Sequence, residues 1–326
     1  MPRFLRKNID ETVDEGGRMN ADDLVTPEPA KKERSKADKG GKAGKGSKTA
    51  SSSTAATKTA AESTAKQPDE PKNKGPAKVI AFANQKGGVA KTTTALNLAV
   101  AFKESGHRVL AVDMDPQGNL TMSQGVDPDK VEKSMFDVLV HRIPISEVIV
   151  EREIDVAVAS IDLAGAEIAM STQIGRERAL QKGLDEVRDD YDFVCIDTPP
   201  SLGLLTVNAL TAADKVIVPV QCEYLSMRGL VQLQNTLQMI RENLNPGVEI
   251  EGILPTMLDS RTVHAKEAVE ILEENFGELV FKSRIRKAIK FAEAPVRGTS
   301  VLKYDPKSTA AGAYRDLAKE VLTHGS

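Results

Sequence analysis

Along most of this 326-residue chain, short apolar runs alternate with stretches of helical period. Residues 79–83, 108–112, 154–159, 193–196, 215–220 and 248–254 are apolar runs, most of them continuous and not apolar at every second position. That pattern marks strands buried on both faces, as in a mostly parallel sheet. Helical patterns over 92–105, 163–171, 177–188, 204–212, 228–243 and 263–275 separate most of the strands, and a last one covers 309–322. In the first, Leu96, Ala99, Val100 and Phe102 share one side and Gly106 supplies the stop. The alternation predicts a three-layer α/β domain with helices on both sides of the sheet.

The pattern stops short of the N-terminus. Residues 1–77 are rich in Lys, Ser, Gly, Pro and Glu and poor in apolar side chains. Such a segment cannot bury enough surface to fold, so it is read as a disordered tail ahead of a folded domain at 78–326. The tail is acidic first (Asp10, Glu11, Asp14, Glu15, Asp22, Asp23 and Glu28), then Lys-rich from Lys31 to Lys58. Spaced lysines among Gly, Ala, Ser and Thr suit a solubilising tether or a weak, salt-dependent hold on nucleic acid, and the composition leaves both open.

Whole-chain composition changes the picture little. With 40% hydrophobic residues the domain can bury a sizeable core, and a net charge of -3 singles out no partner. Cys195 and Cys222 have no metal or disulfide spacing, and Cys195 sits in an apolar run that makes it a core residue. No apolar run reaches the ~18 residues of a membrane span. The basic start (Arg3, Arg6, Lys7) runs into Asn8, Asp10 and Glu11 rather than an apolar export segment. These features read as a cytoplasmic protein with no membrane partner.

The chemistry lies at the ends of three predicted strands. Gly87-Gly88-Val89-Ala90-Lys91-Thr92-Thr93 joins a strand to a helix, the setting a phosphate-binding loop requires. Glycines let successive backbone N–H groups converge on phosphate oxygens, and the helix adds the positive end of its dipole. Lys91 supplies a charge to the β/γ-phosphates, Thr92 a hydroxyl to Mg²⁺ and Thr93 a further hydroxyl to the α-phosphate. The loop departs from G-x-x-x-x-G-K-[ST]: Gln85 and Ala90 stand at the two glycine positions, and an extra lysine, Lys86, precedes the glycines. A second strand ends at Asp197 and runs into Thr198-Pro199-Pro200-Ser201, a turn beside the phosphates, which places Asp197 to reach the metal through water. A third ends at Asp113 and Asp115 before Pro116-Gln117-Gly118-Asn119. Two carboxylates two residues apart on a strand point the same way. One of them is available to orient the attacking water, the task phosphoryl transfer leaves to the protein.

Together these three segments resemble the ParA/MinD family of deviant Walker A ATPases, and most of all its ParA (Soj-like) branch. The resemblance runs from Lys78 to about Leu322, with weaker echoes at Leu163-Ala164-Gly165-Ala166-Glu167, Pro219-Val220-Gln221-Cys222-Glu223-Tyr224 and Glu293-Ala294-Pro295. It implies a P-loop NTPase fold, ATP and Mg²⁺ as cofactors, and a homodimer that sandwiches ATP. Lys86 matches the signature lysine that reaches the partner's nucleotide. Lys91 becomes the ordinary Walker lysine, Asp115 the residue that orients water, Asp197 the Walker B carboxylate and Asp113 a supporting acid in the nucleotide site. The family's ATP dimer holds DNA non-specifically through basic residues, which here fall on Arg286, Lys287 and Lys290. Lys282, Arg284 and Arg297 lie nearby, and apolar Ile285, Ile289 and Phe291 suggest a half-buried element with a basic outer face. A ParB-like partner would stimulate hydrolysis, and the protein would act on the nucleoid.

Other functions share the scaffold. A ParA-like ATPase that positions a protein cargo would carry the same motifs. A MinD-like membrane regulator needs an amphipathic anchor. The segment Ala318-Lys319-Glu320-Val321-Leu322-Thr323-His324-Gly325-Ser326 lacks the large apolar side chains for one. An iron–sulfur reductase needs cysteine thiolates across a dimer interface, and the placement of Cys195 and Cys222 does not suit it.

Overall fold

The computed structural model describes residues 75–221, 227–259 and 263–324. Nearly all of the expected tail lies outside the described residues, as does Cys222 with its neighbours Glu223 and Tyr224.

Among the described residues, seven strands form one sheet in the order β3-β4-β2-β5-β1-β6-β7. They are β1 (Lys78–Phe82), β2 (Val109–Asp113), β3 (Ile149–Glu151), β4 (Asp155–Ala157), β5 (Phe193–Asp197), β6 (Lys215–Gln221) and β7 (Glu249–Thr256). Every pairing is parallel except β3 with β4. The helices are α1 (Lys91–Glu104), α2 (Asn119–Ser123), α3 (Met135–Val140), α4 (Ala166–Ala169), α5 (Ala179–Asp185), α6 (Leu204–Ala212), α7 (Met227–Asn243), α8 (Val263–Phe276), α9 (Lys290–Val296), α10 (Val301–Tyr304) and α11 (Thr309–His324).

The strands alternate between two cores, which is why they read as continuous apolar runs. On β1, Val79 and Ala81 enter the core made with α3, α5, α6 and α7, while Ile80 and Phe82 enter the core made with α1 and α11. Fully burying a side chain such as Ile80 or Phe82 contributes roughly 1.5–3 kcal/mol. β1 is pinned at its start: Ala77 N–H donates to the Arg188 carbonyl (2.9 Å), and Arg188 Nε donates back to the Ala77 carbonyl (2.9 Å).

The three-layer expectation holds, with several local differences. Helix α1 is buried almost all round from Thr94 to Phe102, not on one side alone, because α11 covers its outer face. The Thr94 hydroxyl meets the Tyr314 hydroxyl there at 3.3 Å. Gly106 does stop the helix: at φ 85° it lets its N–H reach the Lys103 carbonyl and lets His107 N–H reach that of Phe102. The helix expected over 163–171 is a 3₁₀ turn (Ile161–Gly165) followed by the four-residue α4. The edge strand β3 and helices α2, α3 and α10 were not anticipated. A capping box of Ser134 and Asp137 starts α3, a signal present in the sequence.

Candidate functional site

The site is built where β1 meets α1. After Phe82 the chain turns through 83–90 and is fastened to three other strands. Asn84 Nδ2–H donates to the Pro219 carbonyl beyond mid-β6 (2.8 Å), and its Oδ1 accepts Lys86 N–H (3.0 Å). The Val89 carbonyl accepts the Thr256 hydroxyl at the end of β7 (3.0 Å). The Phe82 carbonyl accepts the Thr198 hydroxyl just past β5 (2.7 Å). Gly88 sits at φ 73° and Ala90 at φ 67°, ψ 34°, so the left-handed turn that a glycine usually makes before the lysine is made by alanine.

Asp197 ends β5 opposite Phe82 of β1 and opposite Asp113 of β2. It is fully buried, and neither carboxylate oxygen has a hydrogen-bond partner. Burial and then the Asp113 charge push its pKa well above the ordinary range; the nearby Thr92 hydroxyl and the Lys91 ammonium offset part of that rise. Lys91 is itself buried, its Nζ 3.3 Å from the Lys86 carbonyl. Burial lowers its pKa against the pull of Asp197 and Asp115.

The two aspartates after β2 separate in role. Asp115 is nearly buried and lines the cleft, and its Oδ1 accepts Gln117 N–H (3.0 Å). Asp113 is fully buried and does not line the cleft. Its Oδ1 accepts Asp115 N–H (3.1 Å), and its Oδ2 accepts both Thr121 N–H (2.9 Å) and the Thr121 hydroxyl (2.7 Å). The Asp113 carboxylate, expected in the nucleotide-binding set, is thus bonded to the turn behind the cleft. Strand alternation fails to keep the pair together because β2 ends at Asp113.

These elements enclose an open cleft of about 430 Å³. Gly87, Gly88, Ala90, Lys91, Thr92, Thr93 and Asp115, all expected, line it. Val89 and Asp197 are buried and do not line it, and Lys86 is half-buried at the loop. Sequence reasoning missed Ser123 and Met257 on the wall and gave no role to Gln117, Asn119 or Pro295, although the last three lie in quoted motifs. Met257, at φ 55°, carries no sequence signal for its position. A buried carboxylate without partners, a hydroxyl beside it and a buried ammonium form a set that suits a divalent cation carrying phosphate. Among the described residues no cluster of three or more His, Cys, Asp or Glu could hold a metal alone, so such an ion would need phosphate oxygens and water to complete its shell.

The basic segment lies elsewhere, along β7. Phe281 N–H donates to Ile253 O and Ile285 N–H to Pro255 O (both 3.0 Å), and Lys287 N–H donates to Leu258 O (3.0 Å). Ile285 is buried and Phe291 half-buried as expected, but Ile289 is 78% exposed. Arg286 and Lys287 are exposed. Lys290 is engaged within the protein, with Glu293 at 3.1 Å, Asp305 at 4.0 Å and the Tyr304 ring at 5.3 Å. Arg284 pairs with Glu273. A groove of about 920 Å³, larger than the cleft, runs between this segment and α11. Its size does not make it the reactive site, since Lys91, Thr92 and Asp115 line the cleft and not this groove.

A mostly parallel sheet with a glycine-rich loop leading from an interior strand into a helix defines a P-loop NTPase. The AAA domain family matches residues 77–250. The chain is 46% identical to the sporulation initiation inhibitor protein Soj of Bacillus subtilis over 76% of its own length and 99% of that protein. It is 42% identical to the chromosome partitioning protein ParA of Caulobacter vibrioides, over 76% and 95%. Among solved structures, a Mycobacterium smegmatis protein described as cobyrinic acid a,c-diamide synthase with bound ADP and magnesium is similar at a TM-score of 0.68 and 42% identity, over 76% of this chain and 95% of that one. The MinD protein of Pyrococcus horikoshii complexed with Mg-ADP is similar at a TM-score of 0.62 and 25% identity, over 75% and 96%. The chain belongs to the ParA/MinD family of P-loop ATPases, on its ParA side. No helix among the described residues is long and apolar enough to cross a membrane.

Proposed function

We propose that this protein is an ATP-hydrolysing switch of ParA type that holds DNA non-specifically and positions a chromosome or plasmid on the nucleoid. The observation that carries this reading is the buried, partnerless Asp197 carboxylate close behind Lys91 and Thr92, which line the P-loop cleft. Loop amides of Gly87, Gly88, Val89 and Ala90 and the start of α1 bind the phosphates, with Thr93 adding a hydroxyl. Lys91 answers their charge. Thr92 and, through water, Asp197 would hold Mg²⁺, which supplies charge neutralisation at the β- and γ-phosphates. Asp115 orients the attacking water. Lys86 reaches the nucleotide of a second copy, so ATP becomes the condition for dimerisation. Arg286 and Lys287, with Lys290, meet DNA phosphates, and a ParB-like protein accelerates hydrolysis and release.

The name of the Caulobacter vibrioides relative supports partition, and the ADP and magnesium described in the Mycobacterium smegmatis protein support the cofactors. That protein's own description points to an amide-forming synthase. An activated cysteine thiolate is one route to the ammonia such a reaction consumes. Among the described residues the one cysteine is Cys195, which is fully buried, and burial pushes its thiol up, the opposite of activation.

The test measures DNA binding and light scattering of the full chain with ATP, with ADP and without nucleotide. Wild type is expected to dimerise and bind DNA with ATP alone, Lys86→Ala to keep nucleotide affinity but stay monomeric, and Asp115→Ala to remain trapped on DNA. Equal DNA binding in all three nucleotide conditions, or a Lys86→Ala protein that dimerises fully, would overturn the switch.

A further inference from the structure

We infer that Thr121 is a positioning residue for hydrolysis: it locks Asp113, and through it Asp115, to the end of β4. The inference rests on the reading above that Asp115 orients water.

A chain of buried hydrogen bonds makes the lock. Ala159 N–H, just past β4, donates to the Thr121 hydroxyl oxygen (3.0 Å). That hydroxyl donates to Asp113 Oδ2 (2.7 Å), which also accepts Thr121 N–H (2.9 Å). Asp113 Oδ1 accepts Asp115 N–H (3.1 Å). Thr121, Asp113 and Ala159 are all fully buried, and none of them lines the cleft. Asp115 does line it, and its carbonyl and Oδ1 accept Gly118 N–H and Gln117 N–H in the turn that leads to Thr121. On the other flank Met114 N–H donates to the Asp197 carbonyl (3.0 Å). The loop bearing Asp115 is thus tied to β5 on one side and, through Thr121, to β4 on the other.

A hydroxyl offers one proton and two lone pairs. Thr121 spends the proton on Asp113 and a lone pair on Ala159, so one atom joins two strand ends. Valine has the same shape and can do neither. A water-orienting carboxylate released by a fraction of an ångström loses rate before it loses ligand, because misplacement of about 1 Å can cost about 100-fold.

The experiment compares the full chain with Thr121→Val, Thr121→Ser, Asp113→Asn and Asp115→Ala. It records steady-state ATP hydrolysis, affinity for a fluorescent ATP analogue, and melting temperature. Thr121→Val is expected to lower kcat by about 10-fold or more while KM and analogue affinity stay within about twofold. Thr121→Ser, which keeps both hydrogen bonds, is expected to restore most of kcat. Asp113→Asn breaks the same chain from its other end and carries the test if Thr121→Val does not fold. Unchanged kcat in a folded variant that lacks the chain overturns the lock, as does a rise in KM that accounts for the whole effect. Wild-type turnover by Asp115→Ala would sink the underlying assignment instead. Loss in Asp115→Ala with none in Thr121→Val sinks the lock alone.

Discussion

Asp113 and Asp197 stand directly opposite each other on adjacent parallel strands, both fully buried, and only Asp113 is hydrogen-bonded. A carboxylate with three donors is part of the scaffold. One with none carries a desolvation cost that a bound cation would remove. Asp197→Asn keeps the shape and deletes the charge. Its amide is as unpartnered as the carboxylate, so it is expected to stabilise the ligand-free protein only at alkaline pH, where Asp197 would be ionised. It is also expected to gain far less than wild type from Mg²⁺-ATP. Melting curves at alkaline pH in a chelator and in Mg²⁺-ATP read both effects, and a variant that melts lower than wild type in the chelator contradicts the account.

The same pair gives ligand-free stability a pH dependence. Burial pushes Asp113 up to about 6, with hydrogen bonds from Thr121 and Asp115 opposing the rise. The folded protein therefore binds more protons than the unfolded chain between the ordinary carboxylate pKa and about 6. The contribution is complete below the unfolded pKa and is lost as pH rises through the folded one; its scale is roughly 3 kcal/mol. Asp197 is raised as well and acts in the same direction. Ligand-free wild type is expected to lose stability relative to Asp113→Asn between about pH 4 and about pH 6. Parallel pH profiles for the two proteins would assign the dependence to other groups.

Ala90 occupies the left-handed region immediately before Lys91. For a residue with a Cβ this costs about 1–2 kcal/mol, against which glycine gives back part through the entropy of the unfolded chain. Ala90→Gly is expected to be neutral to about 1 kcal/mol stabilising, and Ala90→Val to lose at least about 1 kcal/mol, because a β-branched residue tolerates this region least. Urea unfolding without nucleotide measures both. A stabilised Ala90→Val would mean that the turn is not held as described.

On the basic segment, the three lysine and arginine candidates are not equivalent. Arg286 and Lys287 are exposed, while Lys290 is paired with Glu293 and Asp305. Each phosphate contact adds about 0.9 to the salt slope of DNA binding. Arg286→Ala and Lys287→Ala should each lower that slope by close to one contact, and Lys290→Ala by clearly less. A larger effect at Lys290 would show that its pairs open on DNA.

Much of the fold was legible because burial on both faces of a parallel sheet writes continuous apolar runs, and six of the seven strands among the described residues were found that way. The strand–loop–helix setting of the phosphate loop and the strand-end places of Asp113 and Asp197 were legible because these features are local: a glycine turn, a lysine and a carboxylate closing an apolar run each lie within a few residues of their neighbours. What the sequence by itself determined was therefore the layer order, the loop and the list of charged groups at its rim. Only the tertiary structure decided their environments. Two aspartates two residues apart carry no mark of which one enters the cleft; that followed from β2 ending at Asp113 and from Thr121, eight residues on, turning back to meet it. Lys290 and Lys287 look alike in a basic run until Glu293 and Asp305 are brought beside one of them. Ser123 and Met257 reach the cleft only because α2 and the end of β7 converge there. Residue type is written locally, whereas burial and partners depend on segments distant in the chain, and these set how each charge behaves.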